Sequence, residues 1–317
     1  MIKAIDLKSS NILWSINLSK NNHLFSFQKN IFFSSGLAIK DNKIYVGNEK
    51  GEIFCINKFN GNIIWKTDIQ EEIISLPVVS QGLVLIHTSN EILFALNDIT
   101  GLVKWNVNFK KTRLSIRGRS TPIVIYKNIV IVGSDYGYVS AFFLSNGELI
   151  WENQISDITG DNDIDQLHSI RSQPIIDEDL GILFVIAYNG NLAAIDIYSN
   201  KIIWKKKIGS VNNMVLINHI IYLVDQDDRI FALSKYNGTI VWKQNHLLNH
   251  QLTSPLIYKN YLILGDKNGL IYWINIYNGN IMKKKKISNS SFQNSMILAE
   301  EYFLALSKNG ILFLLKN

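Results

Sequence analysis

Short apolar runs recur along the whole chain, each closed by Gly, Asn, Asp or Ser, and many carry no polar residue at alternate positions. Ile182-Leu183-Phe184-Val185-Ile186 is apolar throughout. A strand with one wet face alternates, whereas a strand covered on both faces does not, so this pattern predicts sheets sandwiched between other sheets. One stretch shows the unit well: Pro122–Tyr126, Ile129–Gly133, Tyr138–Phe143 and Leu149–Trp151 read as four successive strands. Tyr136-Gly137 joins the second to the third and Asn146-Gly147 the third to the fourth. Asn60-Gly61, Asn237-Gly238 and Asn278-Gly279 repeat the latter junction. An Asn-Gly pair predicts a two-residue hairpin turn, in which both central residues take positive φ.

The unit is repeated with a fixed register. Trp14, Trp65, Trp105, Trp151, Trp204 and Trp242 recur at intervals of about 40 to 50 residues. Ten residues before each stands a small residue, Ala4, Cys55, Ala95, Ala141, Ala194 or Ala232. Four residues before each stands a turn former, Ser10, Gly61, Gly101, Gly147, Asn200 or Gly238. A further copy has Lys283 in place of Trp, with Trp273 and Gly279 at the matching offsets. The prolines share the frame: Pro77, Pro122, Pro174 and Pro255 lie 28 to 30 residues before the Trp position, each with Ser or Thr two residues earlier. Proline has no backbone donor and fits the first residue of a strand.

Four-stranded units at this period predict an all-β, eight-bladed β-propeller filling residues 1–317 as one domain. The expected blades cover residues 36–70, 76–110, 120–155, 172–208, 210–246 and 253–288, with partial ones at 1–20 and 293–317. The first partial copy begins at its third strand, as if shortened, and the last stops before its fourth. Each Trp is expected to pack its ring on the next blade, where the small residues mark the closest approach.

Charge and chemistry alter this picture little. The net charge of +6 invites a nucleic-acid reading, but the lysines are scattered through turns among many Asn and Ile residues. The one dense run, Lys283 to Lys286, reads as a solvated face, so nucleic acid is not an expected partner. Cys55 is the only cysteine, so no internal disulfide can form. No run approaches the roughly 20 apolar residues of a membrane span, and the first residues lack the pattern of a secretory signal. The histidines show no metal-ligand spacing, and no nucleophile elbow or phosphate loop is present. The connection from Ile155 to Arg171 is long and carries Asp157, Asp161, Asp163 and Asp165. A calcium loop would need Gly at Gln166 and Glu at Ser172, so an acidic contact loop is the better reading. No metal, cofactor or catalytic residue is expected.

The Ala-x-Asp-x3-Gly-x3-Trp type of repeat resembles the PQQ-like propeller superfamily, and further stretches resemble one branch of it, the BamB family. They include Gly82-Leu83-Val84-Leu85-Ile86-His87-Thr88-Ser89-Asn90, Ala187-Tyr188-Asn189-Gly190-Asn191-Leu192-Ala193-Ala194 and Tyr222-Leu223-Val224-Asp225-Gln226-Asp227-Asp228-Arg229. The resemblance implies a non-catalytic scaffold at the periplasmic face of the bacterial outer membrane. It also implies that the scaffold binds the POTRA domains of BamA, chiefly the third. Other subunits of the β-barrel assembly (BAM) complex would be reached indirectly, and unfolded outer-membrane proteins would be assisted in folding and insertion. The family's partner-binding Leu-Ser-Leu-Arg segment falls on Leu114, Ser115, Ile116 and Arg117, with Arg119 beside it. An aliphatic pair next to Arg is the composition of an interface hot spot. Asp165 would add a polar contact. The family's acidic pair falls on Ser169 and Arg171, a departure that alters half of the expected surface. The family's signal peptide and lipidated cysteine have no counterpart here, and Cys55 lies within a strand. Two alternatives remain open: a PQQ-dependent dehydrogenase-like propeller, whose vicinal cysteine pair a chain with Cys55 alone cannot form, and a propeller binding another periplasmic protein or peptidoglycan.

Overall fold

A computed structural model describes residues 1–18, 36–108, 123–156, 169–292 and 295–316. Every regular element among them is a β-strand, and each sheet is a meander of strands consecutive in sequence. The first sheet is a hairpin, Ile2–Ile5 with Ile12–Ile16. The second runs Leu37–Lys40, Lys43–Gly47, Glu52–Asn57, Ile63–Asp68, and the third Val78–Ser80, Leu83–His87, Ile92–Asn97, Val103–Asn108. The fourth is Ile123–Tyr126, Ile129–Gly133, Tyr138–Phe143, Leu149–Gln154, and the fifth Ile175–Asp177, Ile182–Ile186, Leu192–Asp196, Ile202–Lys206. The sixth is Val215–Ile217, Ile220–Val224, Ile230–Ser234, Ile240–Gln244, and the seventh Leu256–Tyr258, Tyr261–Gly265, Leu270–Asn275, Ile281–Lys286. The eighth has three strands, Ile297–Ala299, Tyr302–Leu306 and Leu312–Leu315.

Seven of these sheets are blades of three or four strands, so the expected count of eight is corrected to seven. The first copy supplies only a third and a fourth strand, which make a hairpin too narrow to count as a blade. That hairpin nonetheless packs on the second sheet, Ile2, Trp14 and Ile16 against Ile44, Val46, Phe54 and Ile56. By internal contacts the chain divides into two units, Met1–Ser134 with Ala141–Ile150, and Asp135–Ser140 with Trp151–Asn317.

Within each unit the core lies between consecutive sheets. In the first unit Tyr45, Cys55 and Trp65 of the second sheet meet Val84, Ile86 and Phe94 of the third. In the second unit Phe184, Ile186 and Ala194 meet Leu223, Phe231 and Leu233, and Tyr222, Val224 and Ala232 meet Leu262, Leu264 and Tyr272. Second and third strands are buried almost end to end, which is why they lack polar alternation. Burial pushes the Cys55 thiol up to about 11, leaving it an inert core side chain.

The tryptophans join sheet to sheet. Trp14, Trp65, Trp105, Trp204 and Trp242 lie directly across the strand pair from their small residues, as in Cys55↔Trp65, Ala194↔Trp204 and Ala232↔Trp242. A small partner leaves room for the indole to lie over the sheet. Its Nε1 then donates to a carbonyl on the third-to-fourth turn of the following sheet. In the first unit Trp14 bonds Lys58 O, Trp65 bonds Asp98 O and Trp105 bonds Leu144 O. In the second, Trp151 bonds Ile197 O, Trp204 bonds Lys235 O and Trp242 bonds Ile276 O, at 2.8–3.1 Å across all six. Every acceptor stands three residues before the turn former. At that turn former a Cβ would lie 2.7 Å from Trp204 at Gly238 and 2.6 Å from Trp242 at Gly279, so glycine makes room for the ring.

The turn geometry differs from the expectation. In the third-to-fourth turns only the glycine of each Asn-Gly pair has positive φ, 74° at Gly61 and 66° at Gly238. The closing pairs are Asn57 with Asn62 and Ser234 with Thr239, so four residues intervene, and Gly61 N bonds back to Asn57 O. The loop is one helical turn capped by a left-handed glycine, started by a side chain that accepts from the amides ahead of it. Asp196 does so from Tyr198 N and Ser199 N at 3.1 and 2.7 Å. The two-residue turns sit instead between first and second strands, where Lys127, Asn218 and Lys259 take φ of 51–55°.

Two outcomes follow from this packing. Lys235 Nζ and Asp177 Oδ2 form a buried ion pair at 2.5 Å, linking the sixth sheet to the fifth beside the Trp204 bond. Lys235→Ala strands the carboxylate, and a loss of about 3–5 kcal/mol is expected, read from denaturant midpoints. The Ser199 amide and hydroxyl hold the Asp196 carboxyl below its ordinary value. Such a group stabilises the fold above the unfolded-state pKa, about 4, and loses its contribution as pH falls through the folded-state value. Thermal melts should therefore show Asp196→Ala less stable than the parent at neutral pH, the difference closing below about pH 4.

Candidate partner-binding surface

Leu114, Ile116, Arg117, Arg119 and Asp165 lie outside the described residues, as do Asp157, Asp161 and Asp163. Ser169 and Arg171 are described, and the structure brings them together. Arg171 Nε donates to Ser169 Oγ at 2.9 Å, and Tyr188 N donates to Ser169 O at 2.8 Å. Ser169 and the intervening Ile170 are buried, while Arg171 is half-buried. A cation therefore stands where an acidic pair was the family expectation.

These two residues enter the fifth sheet from the connection that follows the fourth. Alternation of strand direction puts every such connection at the same end of its sheet as the turn between second and third strands. In the second unit this end is tied together by side-chain bonds to backbone. Ser210 Oγ donates to Val224 O at 2.5 Å, and Thr253 Oγ1 accepts from Gly265 N at 3.0 Å. In the first unit Ser75 Oγ likewise donates to His87 O at 2.6 Å. Ser75 and Thr253, each two residues before a proline, are thus buried staples to the second strand, and Ser210 makes the same link where no proline follows.

Further bonds run from sheet to sheet. Gln173 N donates to Asn213 Oδ1 at 2.8 Å and Asn213 N to Ser254 Oγ at 2.9 Å, so three first strands begin in one chain of contacts. Asp228, buried and at φ 66°, accepts from Gln251 N and Leu252 N at 2.7 and 2.8 Å. Asp225 Oδ1 accepts from Asp227 N and Arg229 N, and Arg229 bridges Asp225 and Asp227 at 3.2 and 2.7 Å. Beside this turn lies a groove of about 440 Å³, lined by Lys206, Lys207, Ile208, Arg229, Phe231, Ile240 and Lys243 among others. No cluster of His, Cys, Asp or Glu among the described residues could hold a metal ion. The end is built to present a fixed polar surface.

The sequence profile described as Outer membrane protein assembly factor BamB matches residues 1–244. The chain belongs to the BamB family. The BamB of Yersinia pestis is 41% identical over 264 residues, covering 83% of this chain and 66% of that relative. The chain thus spans a little under two-thirds of the length of that relative. The crystal structure of BamB from Moraxella catarrhalis matches with a TM-score of 0.85 at 20% identity, over 96% of this chain and 88% of that one. Quinohemoprotein alcohol dehydrogenase from Comamonas testosteroni matches at 0.61 and 13% identity, over 86% and 70%. Both likenesses show the fold, an all-β propeller.

Lys is abundant along the chain, so the groove lysines carry no distinguishing mark in the sequence. The stretch that brings in Arg229 was legible only as part of the BamB pattern. Nothing in the spacing of Lys206, Lys207 and Lys243 announces that they meet. The staples make one prediction. Asp228→Ala leaves two amides without an acceptor, and an increase of hydrogen exchange at Gln251 and Leu252 is expected, with about 1–3 kcal/mol lost.

Proposed function

We propose that this BamB-family chain is a non-catalytic scaffold subunit of the outer-membrane β-barrel assembly complex, acting as one propeller domain at the periplasmic face of the outer membrane. It binds the POTRA domains of BamA, chiefly the third, and so aids folding and insertion of outer-membrane proteins. The observation that carries this reading is the family match over residues 1–244, whose relatives are named as assembly factors. The described surface agrees with it physically. Connections and turns at one end of the second unit are fixed by staples before any partner arrives, which lowers the ordering cost of binding. The quinohemoprotein likeness is one of fold alone, and fold does not carry function.

In this reading Leu114, Ile116 and Arg117 form the hot spot, Arg119 and Asp165 flank it, and Ser169 with Arg171 replaces an acidic contact by a cationic one. Arg117→Ala is expected to weaken capture of purified BamA POTRA domains by about tenfold or more while leaving the melting temperature unchanged. Surface plasmon resonance with parallel melts makes the measurement. Unchanged capture, or a matching loss of folding, would refute the assignment.

A further inference from the structure

The groove of the second unit carries charge that the fold itself leaves unused. Its acidic members, Asp225 and Asp227, are both engaged by Arg229, and Asp225 also caps its own turn. Lys206, Lys207 and Lys243 line the same groove, and among the described residues none of the three has a carboxylate within ion-pair distance. Lys243 Nζ instead lies 5.2 Å from the centre of the Phe231 ring. The floor is apolar, with Phe231 and Ile240 both lining it and Ile240 exposed. Three unpaired ammonium groups over a low-dielectric floor concentrate positive potential in one concavity.

The arrangement distinguishes among anions. Lys206 ends the fourth strand of the fifth sheet, and Lys207 begins the bend that follows it. Lys243 comes from the fourth strand of the next sheet, across from Phe231. The three charges thus come from two neighbouring sheets and a bend, an origin that suits an elongated ligand spanning both sheets. A chain with carboxylates at intervals and apolar side chains between them matches both the spacing and the floor.

We propose that this groove binds an extended acidic segment of a partner protein, with Glu or Asp side chains on Lys206, Lys207 and Lys243 and an intervening apolar side chain on Phe231 and Ile240. The proposal deepens the scaffold reading by giving the chemistry of a second contact, apart from the one centred on Arg117.

Fluorescence anisotropy of the whole chain tests it, using a labelled peptide that alternates Glu with Leu and Phe and a matched peptide with Gln for Glu. The acidic peptide should bind at least about tenfold more tightly, with affinity falling as salt rises. The combined variant Lys206→Gln, Lys207→Gln, Lys243→Gln should remove that preference without moving the melting temperature, since Lys207 and Lys243 are exposed and Lys206 half-buried. Equal binding of the two peptides, or an unchanged preference in the variant, overturns the proposal. So does loss of binding to phosphatidylglycerol vesicles in the variant while peptide binding persists. Capture of BamA POTRA domains by Arg117→Ala is measured alongside. A variant pair in which Arg117→Ala fails to affect BamA, yet the lysine variant loses the peptide, refutes the Arg117 surface and supports the groove.

Discussion

The structure depends on one repeated contact, an indole N–H donated to a backbone carbonyl of the following sheet. A sheet covered on both faces has no preferred orientation toward its neighbour from hydrophobic burial alone, since that attraction is non-directional. The tryptophan supplies direction. Its ring covers the small residue opposite it, reaches over the sheet edge and ends on a carbonyl three residues before the next turn former. Because ring, small residue, carbonyl and left-handed turn residue must all fit together, the four positions keep a common register in every copy that has the contact. A larger residue at Ala194 or Ala232, or a Cβ at Gly238 or Gly279, would occupy space the indole needs.

The seventh sheet shows what replaces the contact. Its fourth strand carries Lys283 and its third carries Trp273, the reverse of the usual small-residue and indole positions. The sheet that follows has no fourth strand among the described residues, and so offers no third-to-fourth turn to receive an indole. Trp273 turns inward against Phe303 at 6.1 Å, its Nε1 buried with no hydrogen-bond partner among the described residues, and Lys283 Nζ sits 4.8 Å from its ring centre. An unsatisfied buried donor costs free energy. The apolar area of the ring and the cation above it offset that cost. The lysines that continue along this strand also make it a poor template for pairing with another chain.

With the sheets fixed in this way, variation is left to the connections and to the turns beside them. Staples such as Ser210 on Val224 and Asp228 on Gln251 and Leu252 hold those segments without using the core. The same scaffold can therefore carry an assembly factor in one protein and a quinohemoprotein dehydrogenase in another, as the fold likenesses illustrate. What differs is which side chains are left unpaired at the end of the sheets. Here these include Lys206, Lys207 and Lys243, which form no ion pair among the described residues, beside an Arg229 already engaged by Asp225 and Asp227.

The sequence by itself determined the strands and their grouping. Burial on both faces removes alternation, and a shared clamp forces Trp, small residue and turn former to recur together, so both leave marks that can be read locally. It also determined the family, through stretches such as Ala187 to Ala194. The tertiary structure alone decided the rest. Which carbonyl each indole meets, how Asn57 and Asn62 close a four-residue turn, and that Lys235 finds Asp177 are all relations between residues far apart or between backbone atoms that every sequence possesses. The meeting of Lys206, Lys207 and Lys243 is of the same kind: charge on separate strands becomes a site only when packing brings the strands side by side.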